Sequence, residues 1–268
     1  MWIDSHCHLD AGEFCGTSLA VAEAAAQAGV SAIVVPAVHK SNFDTVIQLG
    51  AQRPDCFYAL GIHPMYVPTS KEEDLLLLRE KVSTLMAGTD AHKKLVAIGE
   101  IGLDYFVPAL TQSPLKEKQE YFYTEQLKLA RDFDLPVLLH VRRSQDIILK
   151  HLRRIKVRGG IAHAFNGSAQ QAQTFIDMGF KLGFGGAMTF TRALQIRRLA
   201  TDLPLSSIVL ETDAPDIPPS WLSEGANTPA QLPKIGAVLA ELRNLSLAEV
   251  AQATTANAMH ILPRMQRG

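Results

Sequence analysis

The feature that most constrains the fold is a regular alternation of short apolar segments with helical segments along the whole chain. The predicted strands are Trp2–His8, Ser31–Pro36, Cys56–Gly61, Leu95–Glu100, Pro136–His140, Gly160–His163, Lys181–Phe184 and Ile208–Asp213. The predicted helices are Leu19–Ala28, Phe43–Ala51, Glu72–Met86, Leu115–Phe133, Gln145–Arg154, Ala169–Met178, Leu194–Thr201, Ala230–Leu242 and Leu247–Ile261. Strands that alternate with helices in this way predict a parallel sheet with the helices outside it.

The number of predicted strands indicates how the sheet is completed. Eight parallel strands close a (β/α)8 barrel, which typically needs about 250 residues. The chain has 268 residues, so we predict one TIM-type barrel domain over residues 1–268. The alternative is an open, doubly wound sheet, but no G-x-G-x-x-G turn follows the first strand.

Several predicted helix ends carry capping signals. Capping boxes are indicated at three helix starts, by Ser70 with Glu73, Ser168 with Gln171 and Ser246 with Glu249. Ser113 and Pro114 predict a cap followed by a proline at the first helical position. Gly29 and Gly179 follow helices where a C-terminal glycine is expected.

Charge and composition exclude some classes of function. The formal net charge is −1, which argues against a strongly basic nucleic-acid coat and against a polybasic membrane binder. We see no export signal and no apolar run near the roughly 18 residues of a membrane span. The three cysteines form no C-x-x-C motif, which suits a reducing compartment. We therefore expect a cytoplasmic protein, and no obligate protein partner is evident.

Residues that commonly bind metals cluster at the carboxyl ends of the predicted strands. In a barrel these ends meet on one face, where active sites lie. The six metal candidates are His6, His8, Glu100, His140, His163 and Asp213. Strand alternation places Asp4, His6 and His8 on one face and turns Cys7 towards the helices. Hydrogen-bonded core histidines are the alternative, but six such residues on five strands favour a metal site.

The candidate ligands divide into two groups. His6, His8 and Asp213 come from the first and last strands, which become neighbours when a barrel closes. His140 and His163 come from adjacent strands, and Glu100 is placed to bridge the two groups. Two ions about 3.5–4 Å apart stabilise the attacking and leaving oxygens of a displacement. Imidazole with carboxylate favours Zn²⁺ or Mn²⁺, although Mg²⁺ is possible.

Other polar residues near the strand ends are candidates for substrate contacts or support. His63 and Arg142 are expected to contact a substrate phosphate, because a guanidinium fork suits that anion. Asp4 and Glu211 could accept a ring N–H from a metal-bound histidine, or could be bonded elsewhere. Asn227 could hold the last loop or touch the substrate. The remaining histidines are interpreted as surface residues: His39, His92, His151 and His260.

Six sequence blocks together resemble the TatD family of metal-dependent deoxyribonucleases. They are Asp4-Ser5-His6-Cys7-His8, Gly61-Ile62-His63-Pro64, Gly99-Glu100-Ile101-Gly102-Leu103-Asp104-Tyr105, Pro136 to His140 with Arg142, His163-Ala164-Phe165-Asn166-Gly167 and Glu211-Thr212-Asp213-Ala214-Pro215. The resemblance implies a TIM-type barrel with two divalent ions. It implies that one ion is held by His6, His8, Glu100 and Asp213, and the other by Glu100, His140 and His163. Asp213 would also take a proton from the attacking water.

The resemblance also bears on the substrate. Many members of the family have Arg-Asn-x-Pro near the last loop, whereas this chain has Ala226-Asn227-Thr228-Pro229 and resembles the YjjV-type branch. The expected function is a two-metal, exonuclease-like phosphodiesterase acting on short or single-stranded ends of DNA. The catalytic candidates are Asp213, Glu100, His63 and Arg142. Two alternatives are an amidohydrolase-type C–N or ester hydrolase of a small molecule and a catalytically silent metal-binding protein.

Overall fold

The protein is built on eight parallel strands that pair in the order of the sequence. The computed structural model describes residues 1–14, 16–88 and 94–266, so Cys15 and His92 lie outside the described residues. Every strand pairs parallel with the next. The strands are β1 (Trp2–Asp4), β2 (Val30–Pro36), β3 (Cys56–Leu60), β4 (Leu95–Asp104), β5 (Val137–Arg142), β6 (Gly160–Ala162), β7 (Phe180–Phe184) and β8 (Ile208–Leu210). The predicted (β/α)8 TIM-type fold is confirmed.

Helices follow the strands and cover the outside of the sheet. They are α1 (Ser18–Gln27), α2 (Phe43–Gln52), α3 (Glu72–Ala87), α4 (Leu115–Asp132), α5 (Gln145–Arg154), α6 (Ala169–Asp177), α7 (Leu194–Asp202), α8 (Leu232–Arg243) and α9 (Leu247–Ile261). Their bounds differ from the predicted ones by at most two residues. In the described part of the chain, no helix combines the length and the apolar composition needed to cross a membrane.

The sheet closes between its first and last strands. The Ser5 N–H donates to the Leu210 carbonyl at 3.1 Å, and the Asp213 N–H donates to the His6 carbonyl at 2.9 Å. The His8 N–H donates to the Ala214 carbonyl at 2.8 Å. These bonds join the end of β8 and the segment after it to the segment that follows β1, so the two ends of the sheet meet where candidate ligands lie.

Two apolar clusters hold the strands in place. The larger cluster packs the outer face of the sheet against the helices and includes Cys7 and Tyr58. The smaller cluster takes Ile3, Leu138 and Val209 from different strands, together with Ile261 at the end of α9. Side chains contributed from around the sheet fill a barrel interior. The amino-terminal end of the barrel interior is therefore a packed apolar core, and the candidate ligands lie at the carboxyl end.

Capping agrees with the sequence at two helices and differs at two others. Ser168 and Ser246 accept N–H bonds from the third residues of α6 and α9, as predicted. The predicted pair of Ser70 and Glu73 is wrong. At α3 the Asp74 carboxylate accepts the Lys71 N–H at 2.9 Å, and the Ser70 hydroxyl instead donates to the Tyr66 carbonyl at 2.9 Å.

The predicted start of α4 is also wrong in detail. Pro114 occupies the capping position itself, and the helix begins at Leu115 with no side-chain cap bond. Gly29 and Gly179 adopt φ values of 94° and 84° after their helices, as expected of glycines in that position.

The strands that carry ligands differ in length from the predicted ones. β1 ends at Asp4 and Ser5 forms a bend, so regular alternation does not continue from Asp4 to His6. β4 extends four residues past Glu100 because it pairs with β5 as far as Asp104 and Arg142. Gly102 allows this pairing, since a Cβ there would collide with the His140 carbonyl. Glu100 therefore lies within a strand rather than at its end.

Candidate metal centre

The six metal candidates and His63 gather at the carboxyl end of the barrel. His6, His8, His163 and Asp213 lie just beyond their strands, whereas Glu100 and His140 lie within β4 and β5. His63 follows β3 and precedes a short 3-10 turn. The cluster forms the base of a cleft of about 1320 Å³, which exceeds the roughly 300–1,000 Å³ of most small-molecule sites.

The Glu100 carboxylate is at the centre of the cluster, and it is 2% exposed. Its Oε2 lies 3.1 Å from His6 Nε2 and 3.4 Å from His8 Nε2. Its Oε1 lies 3.1 Å from His140 Nδ1, 3.2 Å from His163 Nε2 and 3.4 Å from His63 Nε2. Five ring nitrogens thus face a carboxylate that offers about four lone-pair positions. The two oxygens divide the cluster into two halves.

The first half contains His6, His8, Glu100 Oε2 and Asp213 Oδ1. The His6 and His8 Nε2 atoms are 3.4 Å apart, and Asp213 Oδ1 lies 3.6 Å and 3.5 Å from them. Ligands about 2.1 Å from a tetrahedral ion are about 3.4 Å from each other. Asp213 Oδ1 is also buried without a hydrogen-bond partner among the described residues. The spacing and the unpaired oxygen both fit a divalent cation.

The second half contains Glu100 Oε1, His140 and His163. The other ring nitrogen of His140 lies 3.0 Å from Asp104 Oδ2, which orients the ring. The Nδ1 of His163 lies 3.5 Å from Glu211 Oε1. Carboxylates behind ligating imidazoles fix the ring orientation and raise ligand basicity. Both histidines of this half therefore have an acidic partner on the side away from Glu100.

His63 has a different hydrogen-bonding role from the other rings. Its Nδ1 accepts the Met65 N–H at 3.1 Å, so a neutral His63 carries its proton on Nε2. That Nε2 points at Glu100 Oε1 and can donate a hydrogen bond into the site. His63 also forms a candidate ligand group with Glu100 and His140, but a ring that carries its proton on Nε2 is suited to donating a hydrogen bond to an oxygen.

Burial and mutual proximity shift the pKa values of the cluster. Burial would raise the pKa of Glu100, but the surrounding His63, His163 and His6 outweigh it and hold that pKa well below its usual range. Burial lowers the pKa of His6 to about 3 and raises the pKa of Asp213 to about 6. Strongly perturbed groups that converge in one cleft are typical of functional sites.

Asp104 contacts His140 at the site, and the sequence did not predict this contact. Its Oδ1 accepts the N–H groups of Phe106 and Val107 at 2.8 and 3.0 Å, and its Oδ2 faces His140. The sequence signal for this role is the position of Asp104 four residues after Glu100, because residues an even number apart in a strand point to the same face.

Asp4, Asn227 and Cys7 make hydrogen bonds to the segment that follows β8. Asp4 accepts the Thr212 hydroxyl at 2.6 Å and the Thr212 N–H at 3.0 Å, and no imidazole of the described residues is hydrogen-bonded to it. Asn227 is buried and donates to the carbonyls of Thr212 and Asp216, both at 2.9 Å. Cys7 donates to the Ala214 carbonyl at 3.6 Å and belongs to none of the candidate metal clusters among the described residues. Asp4 and Asn227 therefore support the loop after β8.

Two of the histidines interpreted as surface residues are placed differently. His151 is 9% exposed, and its Nε2 lies 3.1 Å from Glu120 Oε2. His39 lines the cleft and stacks on Tyr66, with ring centroids 5.4 Å apart. His260 is exposed on α9, as expected.

Comparison with known proteins agrees with this geometry. Residues 3–263 match the family described as TatD related DNase. The chain belongs to the TatD family. It is a metal-dependent hydrolase of that family, and its His, Glu and Asp clusters could hold metals.

Individual relatives cover nearly the whole chain. The uncharacterized metal-dependent hydrolase YjjV of Escherichia coli K12 is 42% identical, over 96% of this chain and 95% of its own length. The crystal structure of that TatD homologue superposes with a TM-score of 0.90, at 40% identity and 98% coverage of both chains. The human deoxyribonuclease TATDN3 is 30% identical, over 98% of this chain and 95% of its own length.

Proposed function

We propose that this TatD-family hydrolase binds two divalent cations and cleaves phosphodiester bonds in DNA. The observation that carries the proposal is the division of the Glu100 carboxylate, whose two oxygens face two separate groups of imidazoles. A carboxylate in this position can bridge a pair of ions. In single-ion sites, by contrast, three protein ligands and a water or substrate position complete the coordination.

The proposed ligand assignment follows the two halves of the cluster. His6, His8, Glu100 and Asp213 would hold one ion, and Glu100, His140 and His163 would hold the other. Imidazole and carboxylate together favour Zn²⁺ or Mn²⁺ over Mg²⁺, which prefers oxygen ligands. His63 is left out of the ligand set because its Nε2 carries the proton.

When bound, paired ions polarise a phosphoryl oxygen and lower the pKa of water. The side chains of this protein would complete the reaction. The Asp213 carboxylate, beside the candidate ligands His6 and His8, would also accept the proton of the attacking water. His63 would donate its Nε2 proton in a hydrogen bond to a phosphate oxygen. Arg142, half-exposed at the mouth, would contact the same phosphate.

A phosphodiester substrate is supported by the cleft and by the relatives. Two arginines, Arg142 and Arg143, line the cleft beside the cluster, and guanidinium groups bind phosphate oxygens well. The family description names a DNase, and the human relative TATDN3 is named a deoxyribonuclease. The formal net charge of −1 favours short or single-stranded ends over long duplex, because duplex binding requires extensive phosphate neutralisation.

A substrate panel with metal analysis tests the proposal. The purified protein should contain close to two divalent ions per chain and should release nucleotides from single-stranded DNA. The panel should also include an amide and a carboxylic ester of similar size. Hydrolysis of the amide or ester without any cleavage of phosphodiesters would contradict the proposal and would favour a small-molecule amidohydrolase.

A further inference from the structure

A pair of arginines and one phenylalanine lie together at the rim of the cleft. β4 and β5 remain paired as far as Asp104 and Arg142, and the Tyr105 N–H donates to the Arg142 carbonyl at 2.8 Å. The residues just beyond the two strands are therefore brought side by side. The guanidinium carbons of Arg142 and Arg143 lie 3.8 Å and 4.8 Å from the centroid of the Phe106 ring. We call these three residues the arginine–phenylalanine stack.

The backbone around the stack is held firmly. Asp104 Oδ1 accepts the N–H groups of Phe106 and Val107. The buried Ser144 donates to the Leu103 carbonyl at 2.7 Å. Between these anchored points, Arg143 has a φ of 54°, a left-handed conformation that is uncommon for a residue other than glycine. The ring and both guanidinium groups are thus presented to the cleft by fixed main chain.

Among the described residues, neither guanidinium group has a carboxylate that it does not share with other groups. Arg142 reaches one carboxylate, that of Asp104, at 3.9 Å, but both oxygens of Asp104 already bond to His140 and to backbone N–H groups. Within the described part of the chain, the Arg143 side chain makes no hydrogen bond or ion pair, and its guanidinium group lies over the Phe106 ring. Two like charges held beside one ring repel each other. A bound anion beside them would offset that repulsion.

The charges of the cleft are distributed unevenly. Apart from Asp104 and the carboxylates of the metal cluster, three carboxylates line the cleft. They are Asp10 and Glu13, which follow β1, and Asp216, which follows β8. In a barrel of sequentially ordered strands, β1 and β8 lie across from β4 and β5. The stack is therefore on the side of the cleft that is richer in positive charge.

We infer that Arg143 of the arginine–phenylalanine stack binds a second phosphate of the substrate, next to the cleaved phosphate that Arg142 would contact. This inference rests on the proposed phosphodiesterase function and adds a preference to it. A guanidinium fork matches the oxygens of a phosphate, and the Phe106 ring contacts both guanidinium groups beside the cleft. The enzyme then favours oligonucleotides over molecules that contain a single phosphodiester.

The test compares two substrates that differ by one phosphate. They are a thymidine dinucleotide with one phosphodiester and the trinucleotide with two, each without terminal phosphates. The metal-loaded wild-type enzyme should cleave the trinucleotide with a kcat/KM about ten-fold higher, in line with one charge-assisted contact. The informative quantity is this ratio, because changes in metal content affect both substrates alike.

Two variants and one control complete the design. Arg143→Gly removes a guanidinium at a position where glycine is conformationally favoured, so the fold should be retained or stabilised. Phe106→Leu removes the ring that holds both arginines. Each should reduce the ratio to about one, and Arg143→Gly should make the salt dependence shallower by about one phosphate contact. The control is Arg153→Ala, at the exposed end of α5, which should leave the ratio at the wild-type value.

The outcomes separate this inference from the function on which it rests. Cleavage of both substrates, with a ratio that neither variant changes, would overturn the second phosphate site and leave the phosphodiesterase intact. A metal-loaded wild-type enzyme that cleaves neither substrate would overturn the proposed function and this inference with it.

Discussion

Single side chains decide how the cluster divides, and Glu100 is the one that both halves share. Replacing it with alanine removes the carboxylate that faces both groups of imidazoles. We expect Glu100→Ala to bind less metal and to lose about 10³-fold or more in rate, as expected for a principal electrostatic element. Atomic absorption and single-turnover kinetics measure both effects. The exposed Glu117→Ala on α4 is the control, and wild-type metal content in Glu100→Ala would refute the bridging role.

Asp104 acts on the cluster through His140. Asp104→Asn should weaken the bond to His140 Nε2 while keeping the size of the side chain. Loss of such a supporting carboxylate typically reduces metal affinity or activity by about 10–100-fold. Titration of the metal-free protein with Zn²⁺ or Mn²⁺ gives the affinity. Unchanged affinity would mean that the backbone alone positions the His140 ring.

Cys7 lies between two candidate ligands and yet packs in the apolar core. Its sulfur contacts the Ala214 carbonyl rather than the cluster. We expect Cys7→Ser to retain both metal content and hydrolytic rate, with a modest decrease in melting temperature. Loss of one bound ion from a folded Cys7→Ser protein would show that the residue faces inward.

Secondary-structure elements were more predictable than the contacts at their ends. Alternation of apolar and helical segments predicted the strands and helices, because burial on a parallel sheet imposes that pattern. It did not predict that β4 reaches Asp104, because Gly102 interrupts the apolar pattern of the strand. The small size of Gly102 is nevertheless what permits β4 to pair with β5 at this point. The convergence of the histidines followed from barrel geometry. The contact of Asp104 with His140 did not, because it depends on register between two strands.

At the start of α3, the residue that makes the capping bond differs from the predicted one. Asp74 caps this helix and lies 2.7 Å from Lys40 Nζ, whereas Glu73 makes no capping bond. Asp74→Ala should lower the free energy of unfolding by about 1–2 kcal/mol, and Glu73→Ala should change it little. Chemical denaturation at neutral pH makes the comparison.

The same residue predicts a pH dependence. Burial would raise the pKa of Asp74, but the Lys40 ammonium and the Lys71 N–H outweigh it and lower that pKa below its usual value. A lowered pKa in the folded state stabilises the protein above the pKa of the unfolded chain. That stabilisation is lost as the pH falls through the folded value. The part of the difference between wild type and Asp74→Ala that depends on the carboxylate charge should therefore decrease once the pH falls below about 4, the reference value for aspartate, and should be lost below the lowered pKa of the folded state.

At the scale of the whole molecule, metal binding and stability should be linked. The candidate ligands come from segments spread from residue 6 to residue 213, so an ion that binds them favours the folded barrel. Dialysis against a chelator should abolish hydrolysis and lower the melting temperature, and added Zn²⁺ or Mn²⁺ should restore both. A ligand at 100 times its Kd stabilises by about 2.7 kcal/mol. Full activity after exhaustive chelation would contradict a metal-dependent mechanism in this protein.

The bonds that close the barrel also set the time at which the site can exist during synthesis. Ser5 and Leu210 are 205 residues apart in the chain, so the ribosome makes His6 and His8 long before Asp213. Until the last strand arrives, the first histidines have no partner across the seam and the first half of the cluster is incomplete. A nascent or prematurely terminated chain therefore lacks a working centre. Hydrolytic activity is then delayed until the barrel has been completed.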